Sequence, residues 1–288
     1  MSDLPEPRTA AQSGRNWRDL RARLLSAAVL VPLAGVCIWL GGPVYGAMVT
    51  LAAVGMAWEA GRMFGLAPRS WRGWLYLAWP AVAVLAAWRG EWTAALGLAC
   101  AAFIFGPWLW MAMVWIVWAS VALLWLRLQT QPAIASVVFV IVAVIASDSG
   151  AYLAGRLFGG PKLAPRISPA KTWSGSAGGL VCAAVAGALV AWSTRGGGDE
   201  VVSAVLHGAG VGGLLGIGAQ SGDLAESAIK RRCGVKDSSA LIPGHGGLLD
   251  RFDGLLVAAP LAAALSLLAP ASAFWYAGAA GAWSALTR

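Results

Sequence analysis

Apolar residues fall along this chain in long blocks separated by short polar stretches. The blocks run at 24–40, 44–60, 75–88, 92–106, 108–126, 133–153, 175–193, 201–219 and 255–271. A bilayer core takes about 20 apolar residues as helix, with a range of about 17–25. The pattern therefore predicts an all-α, polytopic integral membrane protein with about nine transmembrane helices. Two blocks, 75–88 and 92–106, are short, while the stretch 94–126 is too long for one ordinary span. Gly106-Pro107 is the natural place to fold it, because proline lacks a backbone donor and disfavours helix at the residue before it. Residues 1–23 are polar and mixed in charge, and read as a tail ahead of a single membrane domain at 24–288. Leu24 to Leu40 shows no convincing cleavage site and reads as a retained first span. The apolar run Phe274 to Leu286 leaves room for one more crossing at 273–287.

Composition strengthens this picture. The chain is 59% hydrophobic and 12% charged, with mean hydropathy +0.69, whereas soluble domains carry about a quarter charged residues. Its 17 Trp suit a protein with two membrane interfaces. The net charge of +8 does not mark a nucleic-acid binder, since the cations lie in short loops between apolar blocks. With a cytoplasmic N-terminus, nine spans put 1–23, 61–74, 154–174 and 220–251 inside. Those segments hold five, three, four and five Lys/Arg, or 17 of the 21. Reading 94–126 as a single span would turn the last two large loops outward, so the positive-inside rule favours nine crossings over eight. The Gly-rich patch from Arg195 to Asp199 then reads as an outside turn. Cys37, Cys100 and Cys182 lie within apolar blocks and Cys233 beyond them, with no metal-ligand spacing and no disulfide framework.

The polar chemistry is concentrated in two of the inside loops. In the later one Asp223, Glu226, Ser227 and Lys230 stand at i, i+3, i+4 and i+7, one face of a helix. Asp250 and Asp253 repeat the i, i+3 spacing where the next span begins. Hard divalent cations favour carboxylate oxygens and also bind phosphates, so Asp223 and Asp250 are candidates to share Mg²⁺ between two helices. Lys230, Arg231, Arg232, Lys236 and Arg251 offer positive charge for phosphate oxygens. The turn Pro243-Gly244-His245-Gly246-Gly247 permits close approach of an anion to backbone N–H groups. In the earlier loop Ser168, Lys171 and Thr172 combine hydroxyls with an ammonium around Pro169. Asp148 is an acid within an apolar helix, a costly placement that goes with a polar interior and a function.

Each feature also has a structural reading. Basic loops beside spans are topology signals, and Lys230-Arg231-Arg232 could merely attract anionic lipid. His245 could be a packing histidine, and Asp253 a cap or ion-pair partner. Glu59, ending the second block, reads as a structural i, i+3 partner of Arg62. Jointly these readings weaken, because acids, bases, glycines and a histidine gather in two loops on one face.

At these residues the chain resembles the phosphatidate cytidylyltransferase (CDP-diglyceride synthase) family. The family pattern is matched by Ser227, Lys230-Arg231, Lys236-Asp237, Pro243, His245-Gly246-Gly247, Asp250-Arg251 and Asp253. Asp148 to Tyr152 and Ile167 to Trp173 are similar to it as well, and Arg21 to Leu40 more weakly. The strong match covers 140–255. Ser174 stands where the family pattern has Glu, and Ser149 where Thr is commoner.

The resemblance implies an inner-membrane enzyme, with its active site on the cytoplasmic face, that joins phosphatidic acid to CTP and releases pyrophosphate. It implies Asp223 and Asp250 as Mg²⁺ ligands, with Lys230 and His245 as further catalytic residues. Asp148, Ser168, Lys171, Thr172, Arg231, Lys236, Gly246, Gly247 and Arg251 would then contact substrates. A homodimer is implied at family level. Two alternatives stay open: a cytidylyltransferase for another lipid phosphate, such as an ether lipid, and an anionic-substrate transporter lined by Asp148 and the basic loops. A CDP-alcohol phosphotransferase fits less well, since its aspartate-rich spacing is not found.

Overall fold

The computed structural model describes residues 10–194, 201–242, 246–268 and 273–276, with side chains from Leu25 onward. The first nine residues, the turn at 195–200 and most of the apolar run at 273–287 lie outside the described residues.

Helices dominate. In chain order they are α1 (Ala10–Leu40), α2 (Gly42–Met63), α3 (Trp71–Trp88), α4 (Trp92–Ala101) and α5 (Pro107–Leu128). After these come α6 (Ala133–Phe158), α7 (Trp173–Thr194), α8 (Val201–Arg232), the single turn α9 (Leu249–Phe252) and α10 (Leu255–Leu267). Five of them, α2, α5, α6, α7 and α8, are long and apolar enough to cross a membrane, so the chain is an all-α membrane protein. Leu25–Leu40, Trp92–Phe105 and Leu255–Leu267 are shorter apolar helical stretches. Large exposed side chains such as Leu51, Leu153, Phe158, Val185 and Leu206 give these helices an apolar outer surface, as lipid contact demands.

Helix limits follow local chemistry. Gly106, at φ 99°, and Pro107 in the first turn separate α5 from the short 3-10 turn Ala102–Phe105, the break expected at Gly106-Pro107. Ser70 caps α3 by accepting a hydrogen bond from the Gly73 N–H at 3.0 Å. The buried Tyr45 and Tyr76 hydroxyls donate to the Leu123 and Leu109 carbonyls at 3.1 and 3.0 Å, tying α2 and α3 to α5.

The helix around which the polar residues gather is α8, with 32 residues. At 1.5 Å per residue it is about 48 Å long, against a hydrocarbon core of about 30 Å. Its C-terminal turns, which carry Asp223 to Arg232, therefore extend past the apolar stretch that can lie in lipid. Small residues let α6, α7 and α8 pack side by side. A Cβ on Gly179 would lie 2.7 Å from the Ser147 carbonyl, and one on Gly212 would strike the Ala183 carbonyl. Such close backbone approach substitutes for the hydrophobic drive that is absent inside lipid.

Two findings depart from the sequence pattern. The polar start of the chain is helical from Ala10, continuous with α1. The first polar loop contains an antiparallel hairpin of β1 (Lys162–Ala164) and β2 (Ser168–Thr172), paired Lys162 to Thr172 and Ala164 to Ser168. Its alternation is too short to stand out in sequence, and Pro165 and Pro169 argue against strand.

Candidate active site

A cavity of about 540 Å³ opens between α6, the hairpin, α7 and α8, and Asp148, Arg156, Lys171, Ser176, Gln220 and Asp223 line it. Gln220 is fixed within the bundle: its side-chain carbonyl accepts from Ser176 Oγ at 2.5 Å, and its amide donates to the Ser176 carbonyl at 3.1 Å. Lys171, from β2, pairs with Asp223 on α8 at 2.6 Å. Ser227 Oγ donates to the other Asp223 oxygen at 3.3 Å. The hairpin is thus what carries Lys171 to the acid.

The expected helix face exists. One turn beyond Asp223, buried Glu226 meets Lys230 Nζ at 2.5 Å, and the same ammonium lies 2.7 Å from Asp250 Oδ1. Asp250 Oδ2 accepts from the Ser238 N–H and hydroxyl, each at 3.0 Å, and from the Gly247 N–H at 2.9 Å. Burial works to raise the Asp250 carboxyl, but the bonds from Lys230, Gly247 and Ser238 outweigh it and hold the group at about 2. Burial pushes the Asp253 carboxyl up to about 7, with the nearby charge of Asp223 acting in the same direction. Asp253 Oδ1 also accepts from the Gly254 N–H at 2.7 Å. Gly222 brings these acids together: a Cβ there would strike the Asp253 carbonyl.

The remaining predicted residues divide. Thr172 is buried and accepts from the Gly175 N–H at 3.1 Å, fixing the start of α7 while lining the cavity. Ser168 opens β2, and exposed Arg231 donates through Nε to the neighbouring Ile167 carbonyl at 3.3 Å. Lys236 is exposed in the turn after α8. Arg251 is exposed beside Asp250. Gly246 has φ 85° and bridges to Ile242, while the next N–H, that of Gly247, is the one donated to Asp250. His245 lies outside the described residues. Ser174, in the place of the expected Glu, donates to the Gly159 carbonyl and sits 3.1 Å from Thr172 Oγ1. It ties the end of α6, and with it the hairpin, to the start of α7.

Arg156, Ser176 and Gln220 line the cavity without being among the sequence candidates, and a further site residue reads in the sequence only as structural. Glu59 on α2 is fully buried and does not pair with Arg62, which instead lies over the Trp58 ring at 4.8 Å. Glu59 accepts from Ser239 Oγ at 2.6 Å, Ser238 Oγ at 3.1 Å, and the Leu248 and Leu249 N–H groups at 2.8 Å each. The available signal was its place as the only acid in an apolar span, the reasoning already applied to Asp148.

Carboxylates and ammonium groups gathered at the end of an apolar bundle are side chains of the kind that charged phosphate chemistry uses. Within that class the family is specific. The cytidylyltransferase family model matches residues 21–269, and the chain belongs to that family. It is similar to the phosphatidate cytidylyltransferase of Brucella suis biovar 1, at 51% identity over 128 residues, 44% of each chain. The Mycobacterium leprae phosphatidate cytidylyltransferase is 46% identical over 129 residues, 45% of this chain and 39% of that one. The Haemophilus influenzae phosphatidate cytidylyltransferase is 44% identical over 128 residues, 42% of each. The aligned stretches thus span less than half the length of these relatives.

Proposed function

We propose that this chain is a Mg²⁺-dependent CTP:phosphatidate cytidylyltransferase, making CDP-diacylglycerol and pyrophosphate in phospholipid biosynthesis. The observation that carries the reading is the shared wall of α8. Asp223 with Lys171 faces the cavity, and Lys230, two turns onward on the same face, reaches Asp250. Family membership and the names of the similar proteins support the choice of substrates.

The residues fit a hard cation. Asp148 and Asp223 line the cavity, and Glu226 and Asp250 share the Lys230 ammonium. Carboxylate oxygens are the donors a hard cation favours, and a cation held there would offset the charge that anionic substrates bring. Among the described residues no three acid, His or Cys side chains are placed to hold a metal ion between them; Mg²⁺ commonly keeps waters and substrate phosphates among its ligands. Asp223 and Asp250 would hold the ion, which would neutralise charge on the phosphates.

In the reaction a phosphate oxygen of phosphatidic acid attacks the α-phosphorus of CTP. The bond from that phosphorus to the bridging oxygen breaks, and pyrophosphate leaves with the electron pair. The nucleophile is already ionised near pH 7, so no strong base is required; the barrier is the approach of two anions. Lys171 and Arg251 would bind phosphate oxygens, and Lys230 holds Asp250 in place. His245, by its place in the family pattern, would orient phosphate or assist the leaving group.

We place the site on the cytoplasmic face of the inner membrane, with nine crossings and the N-terminus inside. The charge asymmetry of the loops supports this, as does the helix over each apolar block. A homodimer follows from the family resemblance, and detergent-corrected mass measurement would decide it.

The functional test is transfer of label from CTP into lipid by the purified protein in detergent. Phosphatidic acid should be labelled with equimolar pyrophosphate release. Faster labelling of an ether-lipid phosphate would reassign the lipid substrate, and anion flux without CTP turnover would favour a transporter.

A further inference from the structure

Glu59 holds the segment that presents Asp250. Enclosing an acid is costly unless donors compensate, and among the described residues the four donors to Glu59 lie in 238–239 and 248–249, on the stretch that leads into Asp250. Two are hydroxyls at the start of the loop, and two are N–H groups at the entrance to α9. One side chain from α2 therefore pins both ends of the loop.

Ser238 is the joint between the two acids. Its Oγ lies 3.1 Å from Glu59 Oε2 and 3.0 Å from Asp250 Oδ2, while its N–H stays with Asp250. A hydroxyl has one proton, so Oγ serves one carboxylate at a time. Gly247 completes the packing: a Cβ would lie 2.8 Å from each Glu59 oxygen and overlap Ser238 Oγ, while its N–H donates to Asp250.

We infer that Glu59 is a positioning residue for the proposed reaction, acting through Ser238 and the entrance to α9 to aim the Asp250 carboxylate without touching substrate. This rests on the assignment of Asp250 above. Glu59→Gln keeps the shape, but either amide orientation turns an NH₂ toward a backbone N–H, of Leu248 or Leu249. Ser238→Ala removes the bridge to Asp250. Ser239→Ala removes a bond to Glu59 while leaving Asp250 untouched.

The test uses the full-length protein in detergent. It measures the Mg²⁺ concentration for half-maximal CTP turnover and, separately, the shift in Tm that Mg²⁺ produces. Partners behind a metal ligand typically govern about 10–100-fold in metal affinity. Glu59→Gln and Ser238→Ala should each raise half-saturation by about tenfold and shrink the Tm shift, the double variant adding less than about twofold more; Ser239→Ala should stay within about twofold of wild type. A merely structural role would lower Tm or active fraction and leave Mg²⁺ half-saturation unchanged, which would overturn the inference. So would Ser239→Ala matching Ser238→Ala, or effects that multiply. Should Glu59→Gln fail to fold, the two serine variants decide. Asp250→Asn separates the levels: if it turns over normally the Asp250 assignment fails, and if only Glu59→Gln behaves as wild type the inference alone fails.

Discussion

Asp223 stands on a continuous helix and opens into a 540 Å³ cavity, where one ammonium and one hydroxyl engage it. Asp250 stands on a single turn of helix, and Lys230, Ser238 and Gly247 occupy both its oxygens. The first acid is placed by a rigid element and left free to change partners. The second sits on a short element and is fixed by a hydrogen-bond network that reaches back to α2. The proposed reaction, which would bring two large anions and a cation together, calls for both kinds of group. The contrast assigns exchange of partners to the Asp223–Lys171 pair and geometric reference to Asp250.

Asp250→Asn should have the largest effect, removing the proposed anionic ligand and disturbing the network at once. CDP-lipid formation should fall by at least about 10³-fold, with an unchanged elution profile and circular dichroism spectrum. Near-normal turnover would remove Asp250 from the chemistry and dissolve the contrast. Lys171→Met tests the adaptable side: turnover should fall by about 10²-fold, the scale of losing one charged stabiliser of a phosphoryl transfer, with KM for substrate raised. If only stability changed, Lys171 would be a structural partner of Asp223.

Gly247→Ala probes the fixed side by steric means. The added methyl presses on Glu59 and Ser238, so stability should drop by about 1–3 kcal/mol, as overpacking does. Turnover should fall by about tenfold, measured beside denaturant midpoints. Ser174→Ala should have the smallest effect, because Ser174 ties the end of α6 to the start of α7 and bears on neither acid. A loss of about 1 kcal/mol for its hydrogen bond should leave turnover within about threefold.

Much of this was legible in the sequence where the signal is local. The apolar blocks mark the helices, and Gly106-Pro107 marks the break before α5. The spacing of Asp223, Glu226 and Lys230 places them on one face because helix periodicity is fixed by geometry. Long-range relations were not legible. Glu59 lies some 180 residues before Ser238 and Ser239, and its neighbour Arg62 offered a satisfying local partner. The hairpin carrying Lys171 is too short and proline-rich to show alternation. Arg231, grouped by pattern with the substrate contacts, also donates its Nε–H to the Ile167 carbonyl, a backbone acceptor that residue type cannot reveal.

The most direct test follows the two ends of CTP through a single turnover. With phosphatidic acid and purified protein, label at the α-phosphate should appear in lipid and label at the γ-phosphate in pyrophosphate, one to one. Both transfers should vanish in Asp223→Asn and Asp250→Asn proteins that remain folded. Label from the γ-phosphate in lipid, or undiminished transfer by either variant, would contradict nucleotidyl transfer at this pair of acids.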